Sequence, residues 1–223
     1  MKRCDQCGAP VQQRSIGQAA CTFCGASVSD VMTTLVAFAD LCADRARGVL
    51  RTKTKWVQTS FDSTGLTGRS VEGAGPAVGT LACTEAIYSD VSVEVACVLA
   101  PPRSELQILL RHSKEGRYAV RPVDDGRVAI DRVLREGGAQ DLRFLATGQI
   151  PNYGARWRDR QSLVVASAVG GTLTLVVDGE EALRCHDEAL GKGRVAAGMT
   201  VAPNEPGEVT LTRVEVRVVE RPG

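Results

Sequence analysis

The feature that most constrains the fold is an alternation of apolar and polar residues that runs from about Trp56 to Val219. In Val91–Leu99 every second residue is apolar, and side chains of a strand point alternately to its two faces. Further runs of this kind occupy 106–111, 118–123, 128–134, 142–146, 162–169, 173–177 and 208–219. The pattern predicts a mainly β domain over residues 56–223, an antiparallel sandwich or barrel.

Short turn sequences separate these runs. They include Lys114-Glu115-Gly116, Asp124-Asp125-Gly126, Glu136-Gly137-Gly138, Gly170-Gly171 and Asp178-Gly179. Glycine and aspartate tolerate the positive φ angles that tight hairpins require. We therefore expect successive strands to be joined by hairpins.

Composition narrows the class of partner. The 223 residues carry 27 Lys and Arg against 26 Asp and Glu, a net charge of +1, which argues against nucleic acid bound through a broad basic field. The most apolar stretch, Val31 to Ala39, is much shorter than the roughly 20 residues of a membrane span. The first residues lack an apolar signal segment. We expect a cytoplasmic protein that binds neither nucleic acid nor membrane.

Two copies of the pattern C-x-x-C-G-A stand near the start of the chain, at Cys4–Ala9 and Cys21–Ala26. Two residues between cysteines let both thiolates of one turn face the same ion. The pair of turns resembles a zinc ribbon over residues 1–29, and the resemblance implies a structural Zn²⁺ held by Cys4, Cys7, Cys21 and Cys24. Disulfides, a redox dithiol and an iron centre with the same ligands are the alternatives.

The segment 30–55 predicts an amphipathic connecting helix. Ser29 or Asp30 can cap it and Gly48 can end it. Apolar residues recur at helical spacing at Val31, Leu35, Phe38, Leu41, Cys42 and Val49. Such a helix would pack on its own C-terminal domain or dock another chain.

The run from Ser162 to Met199, followed by Gly207 to Val219, resembles the last third of a concanavalin A-like jelly roll of the laminin-G and lectin/glucanase type. Leu163-Val164-Val165, Asp178-Gly179 and Gly193–Gly198 carry the resemblance. The family often has a tryptophan about three residues before that leucine, whereas this chain has Arg160 there. The resemblance implies a jelly-roll β-sandwich and a recognition surface, which is a glycan site in lectins.

Catalytic carboxylates are not apparent. The glucanases of this fold carry an E-x-D-x-E strand, whereas Glu94 stands alone and Glu215 and Glu220 are five residues apart. Cys185-His186-Asp187 looks like a catalytic triad, but neighbours on a strand point to opposite faces. We expect no enzyme, and a glycoside hydrolase is the minority reading.

The most promising ligand contact in the sequence is the segment 151–160, where aromatic and arginine side chains are crowded together. It contains Tyr153, Arg156, Trp157 and Arg158. Such residues suit a glycan or a protein partner. The sequence thus predicts a non-enzymatic scaffold that binds a protein partner, and a carbohydrate-binding module is the alternative.

Overall fold

The structure is a computed structural model, and it describes residues 19–20, 27–28, 32–52, 54–71, 77–100, 104–123, 125–136, 139–150, 153, 160–201 and 207–220. All regular elements in these residues are strands. They are β1 Ala19–Ala20, β2 Ser27–Val28, β3 Met32–Asp40, β4 Arg45–Arg47, β5 Val49–Arg51, β6 Val57–Asp62, β7 Gly65–Ser70, β8 Ala77–Thr84, β9 Val91–Ala100, β10 Leu106–His112, β11 Gly116–Pro122, β12 Arg127–Glu136, β13 Ala139–Gln149, β14 Ser162–Val169, β15 Thr172–Val177, β16 Glu180–His186, β17 Arg194–Val201 and β18 Glu208–Glu220.

Two antiparallel sheets form the sandwich. The seven-stranded sheet has the order β13-β12-β11-β10-β17-β8-β5. The nine-stranded sheet has the order β16-β15-β14-β9-β18-β3-β4, and the hairpin β6-β7 joins it through β18. The short strands β1 and β2 form a separate pair. The chain crosses repeatedly between the two large sheets, as in a jelly roll.

The core lies between the inner faces of the two sheets. Val91, Val93, Val95, Cys97 and Leu99 are at most 2% exposed, which confirms the period-two alternation on β9. On the seven-stranded sheet, the inner side chains include Ile108 and Leu110 of β10. Burial of these apolar surfaces is the main stabilising contribution.

Hairpin turns occur where the glycine signals predicted them. Gly170 has φ +57° between β14 and β15, and Asp178 and Gly179 have φ +48° and +85° between β15 and β16. Two successive positive φ angles are typical of the two-residue hairpin turn that matches strand twist. These turns fix the register of the β14-β15-β16 meander.

The prediction of a connecting helix over 30–55 was wrong. Residues 32–40 form β3, which pairs with the last strand β18, and 45–51 form β4 and β5. Ala37, Ala39 and Leu41 are buried while the residues between them are partly exposed, so the burial has period two. The spacing of the apolar residues fits a helix or a strand. As a strand the segment pairs with β18 and extends the nine-stranded sheet, whereas a helix could not form this pairing. The sandwich therefore includes residues N-terminal to Trp56.

No helix in the described parts of the chain is long and apolar enough to cross a membrane.

Candidate functional site

The outer face of the seven-stranded sheet, turned away from the core, carries a row of direct cross-strand partners. We call it the central row, and it consists of Phe144, Asp131, Ala119, Leu109, Ala196 and Cys83 on β13, β12, β11, β10, β17 and β8. The neighbours of these residues along each strand lie mainly in the core, so the row points outward. With strands about 4.8 Å apart, the row spans roughly 24 Å.

The middle of the central row is recessed. Leu109, Ala119 and Ala196 are only 3–4% exposed, although they point away from the core. The side chains at the two ends are exposed instead. Phe144, at one end of the row, is 61% exposed. Leu50, the cross-strand partner of Cys83 beyond the other end, is 50% exposed. The face is therefore a shallow trough with exposed apolar side chains at both ends.

A polar network lies along one side of the trough, and it consists of Glu105, Gln107, Arg121, Asp131 and Thr200. The Arg121 guanidinium bridges two carboxylates: Nε donates to Asp131 Oδ2 at 2.5 Å and Nη1 donates to Glu105 Oε2 at 3.1 Å. Gln107 Nε2 donates to Thr200 Oγ1 at 2.6 Å, and the Thr200 hydroxyl donates to Glu105. The network fixes the orientation of its side chains.

One carboxylate oxygen of Asp131 accepts no hydrogen bond. Burial raises the pKa of this carboxyl, and the contacts with Arg121 oppose that shift without cancelling it. Its second oxygen, Oδ1, is buried and accepts no hydrogen bond, and the same holds for Gln107 Oε1. Both atoms belong to outward-facing side chains, so a ligand that offers hydroxyl donors can satisfy them.

Basic residues lie along the opposite side of the trough. We call this group the basic row, and it consists of His112, Arg117, Arg135 and Arg194. His112 is the cross-strand partner of Arg194, and Arg117 is the partner of Val133, with Arg135 two residues further along the same face. Burial lowers the pKa of His112, and the charges of the three arginines lower it further. The register places the four residues on the neighbouring strands β17, β10, β11 and β12 of the same face.

A bulge in β10 puts His112 on this outer face. The register of β10 against β17 shifts between Leu109 and His112, and the intervening Arg111 has φ +51°. The Arg111 side chain enters the sandwich, where it is 3% exposed and donates to the carbonyls of Ser89, Leu190 and Gly170. Because the bulge absorbs one residue, His112 returns to the outer face.

Unpaired polar atoms single out this face. Among the described residues, seven buried side-chain nitrogen or oxygen atoms have no hydrogen-bond partner. Four of them lie on the outer face of the seven-stranded sheet: Gln107 Oε1, His112 Nδ1, Arg117 Nε and Asp131 Oδ1. A buried unpaired polar atom is costly, so a polar partner that reached these four atoms would be stabilised by them.

The outer face of the nine-stranded sheet is organised differently. Glu94 and Glu215 are direct cross-strand partners, a pairing that the sequence did not reveal. Arg213 Nη2 contacts Glu94 at 2.6 Å and Arg217 Nη2 contacts Glu215 at 2.7 Å. Both carboxylates are thus held in ion pairs.

An open groove of about 610 Å³ lies at one end of this second face. Its lining includes Arg160, Ser162 and Thr212. It carries a single unpaired buried polar atom of the described residues, Ser162 Oγ. The groove is therefore the weaker candidate for a polar ligand.

The residues predicted to contact a ligand are only partly described. The ring of Tyr153 lies against Gly126, where an added Cβ would come within 2.4 Å of it, and packs against the core. Arg156, Trp157 and Arg158 lie outside the described residues, so the segment 151–160 stays a prediction.

The predicted zinc ligands Cys4, Cys7, Cys21 and Cys24 also lie outside the described residues. Among the residues that the structure does describe, no three His, Cys, Asp or Glu side chains are placed to hold a metal ion.

The Cys185-His186-Asp187 triplet forms no triad in the structure. Asp187 accepts hydrogen bonds from Tyr118 at 2.7 Å and from Arg132 at 2.6 Å, instead of from His186. Burial raises the pKa of the Cys185 thiol and the charge of Asp187 adds to the effect, so the thiolate is disfavoured.

Comparison with known proteins relates the fold to sugar-binding and sugar-cleaving proteins. No protein-family model and no curated protein matches the sequence. A carbohydrate-binding module from Bacillus subtilis is similar in structure over 78% of this chain and 92% of its own, with 15% identity and a TM-score of 0.51. A Bacillus subtilis protein of unknown function with a galectin-like fold matches over 86% and 100%, with 14% identity and a TM-score of 0.57.

An enzyme is also among the similar structures. The κ-carrageenase of Pseudoalteromonas carrageenovora, solved with an oligotetrasaccharide of κ-carrageenan, matches over 90% of this chain and 100% of its own, with 8% identity and a TM-score of 0.60. At these identities the likeness concerns the fold alone. The chain has a concanavalin A/galectin-like jelly-roll β-sandwich, as the sequence resemblance implied.

Proposed function

We propose that the protein is a non-enzymatic carbohydrate-binding module and that its site is the trough on the seven-stranded sheet. The observation that carries this proposal is the concentration of unpaired buried polar atoms beside an exposed aromatic ring. Asp131 Oδ1 and Gln107 Oε1 can accept from sugar hydroxyls, while Phe144 offers an apolar face. The sugar-binding proteins among the similar structures support this function over the protein scaffold that the sequence favoured.

The carboxylates favour binding over hydrolysis. A glycosidase needs one carboxylic acid to donate a proton and a second carboxylate to act as base or nucleophile. Here Glu105 and Asp131 are both bound to the same guanidinium of Arg121, and Glu94 and Glu215 are bound to arginines. Each of these carboxylates is therefore engaged by an arginine, whereas a glycosidase keeps one carboxyl group protonated and places a second carboxylate within reach of the sugar.

A glycan array tests the proposal. We expect the wild-type protein to bind a defined set of oligosaccharides and the Phe144→Ala variant to lose at least about fivefold in affinity, since a stacked aromatic contributes about 1 kcal/mol or more. Phe61→Ala is the matched control, because Phe61 is an exposed phenylalanine of β6 on the other sheet.

Three results would contradict this assignment. If the wild-type protein binds no glycan on the array, the carbohydrate-binding function is refuted and a protein partner becomes the expected ligand. Equal loss in Phe144→Ala and Phe61→Ala would remove the trough as the site. Loss in Trp157→Ala with full binding by Phe144→Ala would move the site to the segment 151–160.

For the N-terminal segment we propose a structural zinc ribbon with Cys4, Cys7, Cys21 and Cys24 as ligands. The antiparallel pairing of Ala19 with Val28 and of Ala20 with Ser27 supports it, because it brings together the two ends of the second C-x-x-C-G-A motif. The same thiols favour a reducing compartment, the cytoplasm. Zinc analysis by mass spectrometry should find one Zn²⁺ per chain in the wild type and none in Cys7→Ser, and unchanged zinc in Cys7→Ser would refute the ligand set.

A further inference from the structure

The arginines of the basic row form no ion pair with a described carboxylate, although Glu115, whose carbonyl accepts from the Arg135 amide, lies next to the row. Among the described residues of the seven-stranded sheet, ion pairs engage Arg51, Arg111, Arg121, Arg127 and Arg132. None engages Arg117, Arg135 or Arg194. Three guanidinium groups that lie on neighbouring strands of one face and form no ion pair repel one another, and each gains by receiving an anion.

The geometry of the row suits a small oxyanion. Arg117 is half-buried, and its Nε is a buried donor without an acceptor. His112 Nδ1 beside it is also buried and unpaired. Arg135 and Arg194 are exposed, so they can close over a ligand from solvent. Guanidinium groups bind sulfate and carboxylate through two parallel hydrogen bonds, and such charge-assisted bonds are stronger than neutral ones.

The basic row and the polar network flank the same recess. Arg117 precedes Ala119 of the central row by two residues on β11, and Arg121 of the polar network follows it by two. All three side chains therefore point to the outer face, and the two groups lie about 13 Å apart along the strand. A ligand of two or three sugar rings that contacts Arg121 can thus also reach Arg117.

We propose that the basic row is the subsite for an acidic substituent, a sulfate or a carboxylate, of the bound glycan. The ligand is then an acidic oligosaccharide whose hydroxyl groups contact the polar network and whose anionic group contacts Arg117, Arg135 and Arg194. This inference rests on the proposed carbohydrate-binding function. The whole-chain charge of only +1 provides no broad basic field, so a general polyanion such as nucleic acid is not the expected ligand.

The test compares acidic oligosaccharides with their neutral counterparts. The probes are a sulfated oligosaccharide beside its desulfated form, and a uronate oligosaccharide beside its carboxyl-reduced form, titrated by calorimetry into the full chain. The double variant Arg135→Gln/Arg194→Gln removes the two exposed members of the row and leaves the half-buried Arg117 in place. The control Arg45→Gln/Arg47→Gln removes the same charge from two exposed arginines of β4 on the other sheet.

We expect the wild-type protein to prefer at least one acidic form by about tenfold or more, and the row variant to lose that preference. The control variant should keep it. Higher salt should weaken the acidic ligand more than its neutral counterpart. Which of the two pairs shows the preference distinguishes sulfate from carboxylate.

Other outcomes overturn the inference. Equal affinity for acidic and neutral forms would refute the anionic subsite and leave the carbohydrate-binding function intact. Binding of no oligosaccharide in either form would refute both. Equal preference in the row variant and the wild type would also refute it, as would equally tight binding of a random single-stranded DNA 12-mer, which would indicate a general polyanion surface.

Discussion

Phe144 and Asp131 are direct cross-strand partners on β13 and β12, so a ring that is 61% exposed stands beside a carboxylate that is 2% exposed. The contrast shows that the outer face of the seven-stranded sheet combines an accessible apolar surface with a recessed acceptor. Such a pairing suits a sugar, which presents apolar C–H groups on one side and hydroxyl groups at its edges.

Removal of Arg121 should destabilise the fold strongly. Arg121→Ala leaves Glu105 and Asp131 without their shared partner, and a buried charge that loses its partner costs about 3 kcal/mol. Urea unfolding at neutral pH measures the loss. Because unpaired buried carboxylates take up protons more readily, the deficit should shrink as the pH falls towards about 4.

Arg127→Ala is the control for that experiment. Arg127 also binds a carboxylate, Asp125, but both side chains of this pair are exposed. We expect a change below about 1 kcal/mol. Equal effects of the two substitutions would show that the polar network does not stabilise the sheet.

The pH dependence of stability should contain a contribution from His112. Burial and the three neighbouring arginines lower the pKa of His112 in the folded protein. The unfolded chain, with an ordinary histidine pKa of about 6.5, therefore binds the proton more readily. Stability is then highest above about pH 6.5 and falls as the pH drops towards the lowered pKa.

The check is the difference in Tm between about pH 7.5 and about pH 5.5. It should be smaller in His112→Gln than in the wild type. His186→Gln is the matched control, because His186 is the other histidine of the chain and its side chain is 67% exposed. If Tm falls between these pH values as much in His112→Gln as in the wild type, His112 is not held neutral by its surroundings.

Gly193 should be required for the bulge at Arg111. A Cβ at residue 193 would lie 2.2 Å from the carbonyl carbon of Arg111, which is backbone that cannot rotate away. Gly193→Ala should therefore shift the bulge and cost about 1–3 kcal/mol. Gly191→Ala, where a Cβ would meet nothing within 4 Å, should change stability by less than about 0.5 kcal/mol. Similar thermal unfolding of the two variants would contradict this role for Gly193.

The sequence predicted the strands more reliably than the site. In Val91–Leu99 every second residue is apolar, because one face of this strand packs on the core. Segment 32–40 misled because apolar residues also recur at helical spacing there, and only its pairing with β18, at the other end of the chain, decides for a strand.

The trough depends on register, which local patterns do not determine. Phe144 meets Asp131 only because a bulge at Leu145 shifts β13 against β12. His112 faces outward only because Arg111 bulges from β10. The sequence signal for the site was Phe144, an aromatic residue in the predicted strand 142–146. The residues that complete the site come from strands that are distant in sequence.

The most direct measurement is a crystal structure of the protein with the best oligosaccharide from the array. We expect a sugar ring against Phe144, hydroxyl groups within hydrogen-bonding distance of Asp131 Oδ1 and Gln107 Oε1, and the rest of the ligand along the recess. A ligand bound in the groove of the nine-stranded sheet, or on the segment 151–160, would contradict the assignment of the trough as the site.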